Sequence, residues 1–299
     1  MMDFRRRWII LLSLVAISLP LAWIPLRQTF DLALHNDEYT QILLILPLTV
    51  GICFLKREWV RDAYRWGVFS GMAVLVTAVL CVFAACVWRH LLAPDVLLAL
   101  EMLALGLWWT GSFVVCFGRE AAQALLFPIL LLFGLVPLPG IILDRMIALL
   151  QVGSAWSAHA LFTLCGVPVV QHGILVAIPN LTIQVAQECS SIRSSSMLLV
   201  TTIGVAEILL RSPWRKVLLI ALAIPLSVAK NGLRIFAIAM LGTRVDPDYL
   251  TGSLHREGGI VFFAIALAGV FVILAVLQRG ETHIVRSSLQ RPSAAATGD

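Results

Sequence analysis

The chain has 299 residues, of which 60% are hydrophobic and only 13% are charged, and its mean hydropathy is +0.94. These values exclude an ordinary soluble domain and predict an integral membrane protein. A formal charge of +5 would suit a nucleic-acid-binding protein, but the cations are distributed as in a membrane protein, so we predict no nucleic-acid partner.

Eight apolar runs are about as long as the roughly 20 residues that a helix needs to cross a bilayer. They are 8–26, 39–55, 67–88, 96–117, 121–138, 189–210, 217–240 and 257–278. The predicted fold class is therefore an all-α integral membrane protein with about eight transmembrane helices, in a single polytopic domain over residues 1–280. The short polar end, 281–299, is predicted to be a disordered cytoplasmic tail.

The distribution of basic residues predicts the orientation. The first run follows three arginines, as in a signal peptide, but has no small-residue cleavage site, so we interpret it as a retained helix. With the N-terminus in the cytoplasm, 14 Lys and Arg fall in cytoplasmic segments and 5 in external ones. This asymmetry follows the positive-inside rule and leaves 139–188 as the one long external segment.

That external segment carries two predicted features. Residues 141–165 are apolar but contain polar residues, namely Asp144, Arg145, Gln151 and His159, which predicts an interfacial or re-entrant helix. Further on, β-branched residues alternate around Pro179-Asn180, which predicts a short extracytoplasmic β-hairpin. This hairpin could serve as a structural loop, a lid or an edge for an extended peptide, and the sequence leaves these open.

Cys189 lies in a polar run at the predicted external start of the sixth helix. The free N–H groups and positive end of a helix stabilise a thiolate there. Arg193, four residues on, lies on the same predicted face and adds a cation, whereas Glu188 opposes this effect. The alternative is a small buried cysteine beside an arginine that extends to the membrane interface.

Lys230 and Arg234 lie one turn apart near the outer end of the predicted seventh helix. A cation at mid-bilayer costs about 2.5–3.5 kcal/mol on insertion scales, so two on one face predict a partner, a wet cavity or a bound anion. Arg234 could hold a substrate carboxylate or an oxyanion, with Asn231 as a neutral donor nearby. A salt bridge to Glu188 or Glu207 is the structural alternative.

His255 precedes the predicted eighth helix and is followed by Gly258-Gly259, which allow close backbone approach. An imidazole there can accept a proton from a thiol and return it to a leaving amine. A histidine at a membrane interface often has no catalytic role. The presence of Cys189 and Arg234 on the same predicted face favours a cysteine–arginine–histidine site.

The three motifs together resemble the exosortase/archaeosortase family of multispan membrane enzymes. They are Glu188-Cys189-Ser190-Ser191-Ile192-Arg193-Ser194, Asn231-Gly232-Leu233-Arg234-Ile235, and His255 with Gly258-Gly259 and Phe262-Phe263. From cysteine to arginine there are 45 positions, and from arginine to histidine 21. The family often has Cys-Ser-Gly at the first motif, where this chain has Ser191 in the third place. The likeness covers most of the chain, and its diagnostic residues lie in 188–263.

This resemblance implies a membrane cysteine transpeptidase that cleaves the C-terminal sorting signals of exported proteins and passes them to an unknown envelope acceptor. Such signals have a short motif (Pro-Glu-Pro in the best-known class), a membrane helix and a basic tail. Cys189 would form a thioester, Arg234 would stabilise the oxyanion or substrate, and His255 would be the general acid/base. Arg193, Glu188 and Asn231 would bind substrate or support those three residues.

The resemblance also implies a setting: a bacterial inner membrane, contact with membrane lipids and an active site that faces the periplasm. It implies no cofactor, and no histidine or cysteine cluster has metal-ligand spacing. Two other functions remain open at this point. One is a transporter with an anion site, although no internal repeat is detectable. The other is a non-catalytic scaffold for envelope or polysaccharide export.

Overall fold

The computed structural model describes residues 2–56, 58, 60, 66–179, 181–185, 192–246, 248 and 259–289. Three of the predicted site residues, Glu188, Cys189 and His255, lie outside these ranges. The chain divides into two compact units, 1–145 and 146–299. We describe each unit by itself.

The first unit contains helices α1 to α6 and the start of α7. Their bounds are α1 Met2–Leu21, α2 Trp23–His35, α3 Ile42–Leu55, α4 Val68–Val87, α5 Pro94–Ala124, α6 Leu126–Leu132 and α7 Gly140–Leu164. Short 3₁₀ turns cover Asp37–Tyr39 and Phe133–Leu135. The single predicted helix 8–26 is in fact a pair, α1 and α2, bent by 77°.

Hydrogen bonds from an indole group and from a buried guanidinium attach α1 to α5. Trp108 Nε1 donates to the carbonyl of Leu14 at 3.1 Å, and Arg7 donates to the carbonyl of Cys116 at 2.9 Å. Because position 7 meets 116 and position 14 meets 108, the two helices are antiparallel. Beyond this contact α5 kinks at Gly118, whose φ of 84° is in the left-handed region that favours glycine.

Residues 125–138 return the chain along α3 in the opposite direction. A Cβ added at Gly134 would lie 2.7 Å from Ile45 Cδ1, and the Tyr39 hydroxyl donates to the carbonyl of Leu138 at 2.9 Å. The predicted membrane helix at 121–138 is wrong, because α5 includes 121–124, α6 has only seven residues, and this stretch is too short to be among the candidate spans. Extended backbone at Val136 then leads into Pro137, as expected for a residue before proline.

Helix α7 is one continuous helix where we predicted an interfacial or re-entrant helix at 141–165. Its first residue stays beside the start of α5, since the Gly140 amide donates to Asp95 Oδ2 at 2.7 Å. Over 25 residues it is long and apolar enough to be a candidate span. Within the described ranges, seven helices pass that test, or eight if α1 and α2 form one span. The protein is thus an all-α multi-pass membrane protein, as predicted.

The second unit combines most of α7 with a small sheet and three further long helices. The bounds are β1 Val170–His172, β2 Leu175–Ile178, β3 Leu181–Gln184, α8 Ile192–Leu209, α9 Pro213–Arg244 and α10 Gly259–Leu289. The strands are antiparallel in the order β1-β2-β3. The pairing of Ile178 with Leu181 confirms the predicted hairpin, to which β1 adds a third strand.

The sheet is held against α7 and α9 by an apolar cluster. Its buried members are Ala155, Ala158, Phe162, Val176, Ile178, Val185, Ile235 and Ala239. A second cluster joins α8, α9 and α10 through Leu198, Leu219, Ala266 and their neighbours. The first cluster packs the second half of α9 against the sheet, and the second cluster packs its first half against α8 and α10.

Candidate functional site

Hydroxyl groups connect the start of α8 to the middle of α9. Ser227 Oγ donates to Ser195 Oγ at 2.6 Å, and both residues are buried. One turn further along α9, Lys230 Nζ donates to Ser194 Oγ. Because the residue number falls on α8 as it rises on α9, these helices are antiparallel.

Asn231 and Arg234 lie next to Lys230 and are buried in the same part of α9. Asn231 is 0% exposed, Lys230 is 4% exposed and Arg234 is 8% exposed. Residues three and four apart share a helix face, so Lys230, Asn231 and Arg234 form one polar patch. The structure thus brings Asn231 and Arg234 together, as the sequence predicted.

Gly232 explains why this polar patch is buried. A Cβ at position 232 would lie 2.9 Å from the amide nitrogen of Ala158 and would overlap the side chain of Ser157. Only glycine lets α7 approach α9 this closely. Close approach of α7 covers the turn that carries Asn231 and leaves its side chain no exposed surface.

Two cations, Lys230 and Arg234, are buried in this part of α9. Lys230 donates to a neutral hydroxyl, that of Ser194. Glu207, an alternative partner considered for Arg234, forms an ion pair with Lys216 at 2.6 Å instead. Lys216 precedes Arg234 by 18 residues on α9, which is roughly 27 Å along a helix. An Arg234–Glu207 salt bridge is therefore ruled out.

Arg193 occupies a different position from the polar patch. It is exposed at the second residue of α8, whereas the side chains of Ser194 and Ser195 contact α9. Glu188, Cys189 and His255, for which the sequence predicted roles, lie outside the described ranges. Sequence reasoning missed the Ser195–Ser227 contact, for which small hydroxyl residues inside apolar runs were the available signal.

At the end of the sheet, the N–H and the carbonyl of Val185 are both held by hydrogen bonds. Its N–H donates to the carbonyl of Ile174 at 2.9 Å, and its carbonyl accepts from Gln151 Nε2 at 3.0 Å. Seven residues later, Ile192 begins α8 and is 5% exposed. The segment that contains Cys189 therefore connects two fixed points within one unit.

Helix α10 meets α9 in an antiparallel arrangement as well. Arg215 donates to the carbonyl of Leu277 at 2.8 Å, and a Cβ at Gly269 would lie 3.2 Å from a methyl of Leu226. For each residue counted forward on α9, one residue is counted back on α10. The first contact then makes Arg234 level with position 258, and the second makes it level with position 261. The polar patch is thus level with the first residues of α10, which begins at Gly259.

Within the described ranges, no three histidine, cysteine or acidic residues lie close enough together to hold a metal ion. In comparisons with known proteins, a family model described as transmembrane exosortase matches residues 28–272. The match includes all three diagnostic motifs. No curated protein and no solved structure matches the chain.

Proposed function

Since the chain belongs to the transmembrane exosortase family, we propose that it is a membrane cysteine transpeptidase or protease for the C-terminal sorting signals of exported proteins. The proposed substrates have a Pro-Glu-Pro-like motif, a membrane helix and a basic tail. The proposed location is a bacterial inner membrane with the active site facing the periplasm. Family membership favours this function over a transporter or an export scaffold.

The observation that carries the proposal is the register of α8 and α9. From the Ser194–Lys230 contact, two residues back along α8 and two forward along α9 make Ile192, the first residue of α8, level with position 232. From the Ser195–Ser227 contact, three residues in each direction make Ile192 level with position 230. Arg234 lies two to four residues beyond those positions on α9, and Cys189 lies three residues before Ile192, which supports the proposed pairing of Cys189 with the Arg234 guanidinium.

The register of α9 and α10 supports the third member of the site. Arg234 is level with the first residues of α10, and His255 precedes Gly259 by four residues. A chain of four residues reaches at most about 14 Å. We therefore infer that the imidazole acts on the same substrate group as the thiol.

In the proposed acylation step, the Cys189 thiolate attacks the carbonyl carbon of the scissile peptide bond. The carbonyl oxygen becomes an oxyanion, which Arg234 stabilises with charge-assisted hydrogen bonds. The carbon–nitrogen bond then breaks, and His255 gives its proton to the departing amine. The product is a thioester between Cys189 and the new carboxyl end of the exported protein.

In the second step, an amine or hydroxyl of the envelope acceptor attacks the thioester while His255 removes its proton. Collapse of the second oxyanion releases the Cys189 thiolate and leaves the exported protein joined to the acceptor. Water in place of the acceptor gives a hydrolysed product. Asn231 is proposed to support Arg234 and not to contact the substrate, because its amide is fully buried on the same helix face. Arg193 and Glu188 are proposed to set the charge around the thiol.

A pair of cysteine variants tests the proposal. A reporter protein with a motif, membrane helix and basic tail is co-expressed with the enzyme, and signal removal is followed by its change in mass. We expect Cys189→Ala to abolish processing, because the nucleophile is lost. Cys165→Ala, which removes an exposed cysteine of the same unit, should process normally. Full processing by Cys189→Ala would refute the proposal.

Hydroxylamine provides a second and more chemical test. It cleaves thioesters, so the reporter should be released with a C-terminal hydroxamate whose mass identifies the cleaved bond. The reaction should require Cys189. Release of an unmodified carboxylate from the Cys189→Ala variant would instead indicate a nucleophile elsewhere.

A further inference from the structure

Strand β3 is an open edge of the sheet and leads directly into the Cys189 segment. In the part of the chain that the structure describes, β3 pairs only with β2. Edge strands present unpaired N–H and C=O groups to which another strand can bind. The open edge of β3 therefore needs a partner or a protective feature.

The groups that face outward can be identified from one hydrogen bond. Val185 directs its N–H toward the carbonyl of Ile174, so every second residue before it also directs its backbone groups toward β2. The backbone groups of Thr182 and Gln184 consequently point away from β2. These two residues are also exposed, whereas Leu181 and Ile183 pack against the apolar cluster below the sheet.

The sequence of β3 lacks the features that normally protect an edge. Natural edge strands carry charges, proline or a bulge that prevent pairing with other chains. Leu-Thr-Ile-Gln contains neither a charge nor a proline, and its pairing with β2 is regular over all four residues. By contrast β1, at the other edge, has only three residues.

We propose that β3 binds the substrate as an added parallel strand, using the extended stretch that precedes the substrate's membrane helix. This proposal rests on the proposed function. Strand β3 runs toward the start of α8, which the predicted topology puts at the outer membrane face. A substrate whose exported domain precedes a membrane helix also runs toward the membrane. The two chains therefore have the same direction, and pairing delivers the scissile bond toward Cys189.

Proline substitution tests the backbone contacts. Thr182→Pro and Gln184→Pro each remove one outward N–H and leave the pairing with β2 intact, since edge positions accept proline. We expect each to raise the substrate KM about fivefold with kcat unchanged, as for loss of one hydrogen bond. The controls Thr182→Ala and Gln184→Ala change only side chains and should keep the original KM. Equal KM values for the proline and alanine variants would overturn the proposal.

Disulfide mapping tests the direction and covers the case in which a proline variant does not fold. Thr182→Cys or Gln184→Cys is placed in the Cys189→Ala chain, and single cysteines are moved along the substrate before its membrane helix. We expect cross-links at every second substrate position, shifted by two residues toward the substrate C-terminus for Gln184→Cys. The same chain without the new cysteine provides the background.

Three mapping results would overturn the proposal: no cross-link above background, a shift toward the substrate N-terminus, or cross-links only between two copies of the enzyme. These outcomes are separate from failure of the proposed function. If Cys189→Ala still processes the reporter, the catalytic assignment fails whatever the mapping shows. If Cys189→Ala is inactive but no cross-link forms, only the docking strand is wrong.

Discussion

The two ends of α9 carry cations in contrasting surroundings. At the beginning of the helix, Lys216 forms an ion pair with Glu207 at 2.6 Å, and Arg215 donates to a backbone carbonyl of α10 at 2.8 Å. In the second half of the helix, Lys230 contacts a serine hydroxyl, and Arg234 is buried beside Asn231.

We propose that this difference separates cations with a structural role from cations with a role in catalysis. A cation paired with a carboxylate or fixed on a carbonyl holds helices together, and its charge is largely balanced. A buried cation whose contact is a neutral hydroxyl retains its field for another anion. The first kind should affect mainly stability when mutated, and the second mainly activity.

The largest expected effect separates Arg234 from Arg215. Arg234→Lys should lower reporter processing about 100-fold with little change in melting temperature, because an ammonium does not reproduce the planar donor geometry of a guanidinium. Arg215→Lys should keep processing within about twofold and lower the melting temperature. Full activity of Arg234→Lys would show that any cation suffices at this position. The two ends of α9 would then no longer differ in the role of their cations.

The next effect concerns the glycine that lets α7 approach α9. Gly232→Ala should destabilise the protein by about 1–3 kcal/mol, because the added methyl meets the backbone of Ala158. At Gly269 the same methyl meets only the flexible end of Leu226, so Gly269→Ala should change the melting temperature much less. Thermal unfolding in detergent measures both. Equal melting temperatures for the two variants would contradict the assigned contact.

A smaller effect is expected at the beginning of α9. Glu207→Gln removes a buried charge from its partner Lys216 and should cost about 1–2 kcal/mol of stability, with processing unchanged. The exposed pair of Arg27 and Asp31 offers a control, since Asp31→Asn should have almost no effect. If Glu207→Gln abolished processing in a folded protein, this end of α9 would not be purely structural.

The smallest expected effect lies between the hydroxyl groups of α8 and α9. Ser227→Ala should cost about 1 kcal/mol, because it removes one buried hydrogen bond to Ser195. Ser13→Ala, at an exposed serine that contacts only its own helix, should be neutral. A melting temperature for Ser227→Ala that equals that of Ser13→Ala would show that the serine pair contributes nothing to the register.

Much of the fold was predictable because its causes are local. Long apolar runs indicated the membrane helices, and Pro179 between two β-branched segments indicated the hairpin that pairs Ile178 with Leu181. The bend between α1 and α2 and the short α6 were not predicted. Hydropathy gives the length of an apolar run, and it does not show where a continuous run changes direction.

The site was only partly predictable. Spacing along α9 correctly grouped Asn231 with Arg234, since residues three apart share a face. The exposed position of Arg193 was not predictable, because three serines follow it at the start of α8 and their pattern does not indicate which residues meet α9. The need for glycine at position 232 likewise depends on α7, which is distant in the sequence.

The double attachment of Val185 has a consequence for how this protein tolerates changes in length. Its N–H is held by Ile174 and its carbonyl by Gln151, so six residues, 186–191, connect this fixed point to the start of α8. One inserted residue adds about 3.3–3.6 Å of reach, more than a hydrogen bond is long. Apart from Glu188 and Cys189, we therefore expect substitutions between positions 186 and 191 to be tolerated better than a change in the number of residues.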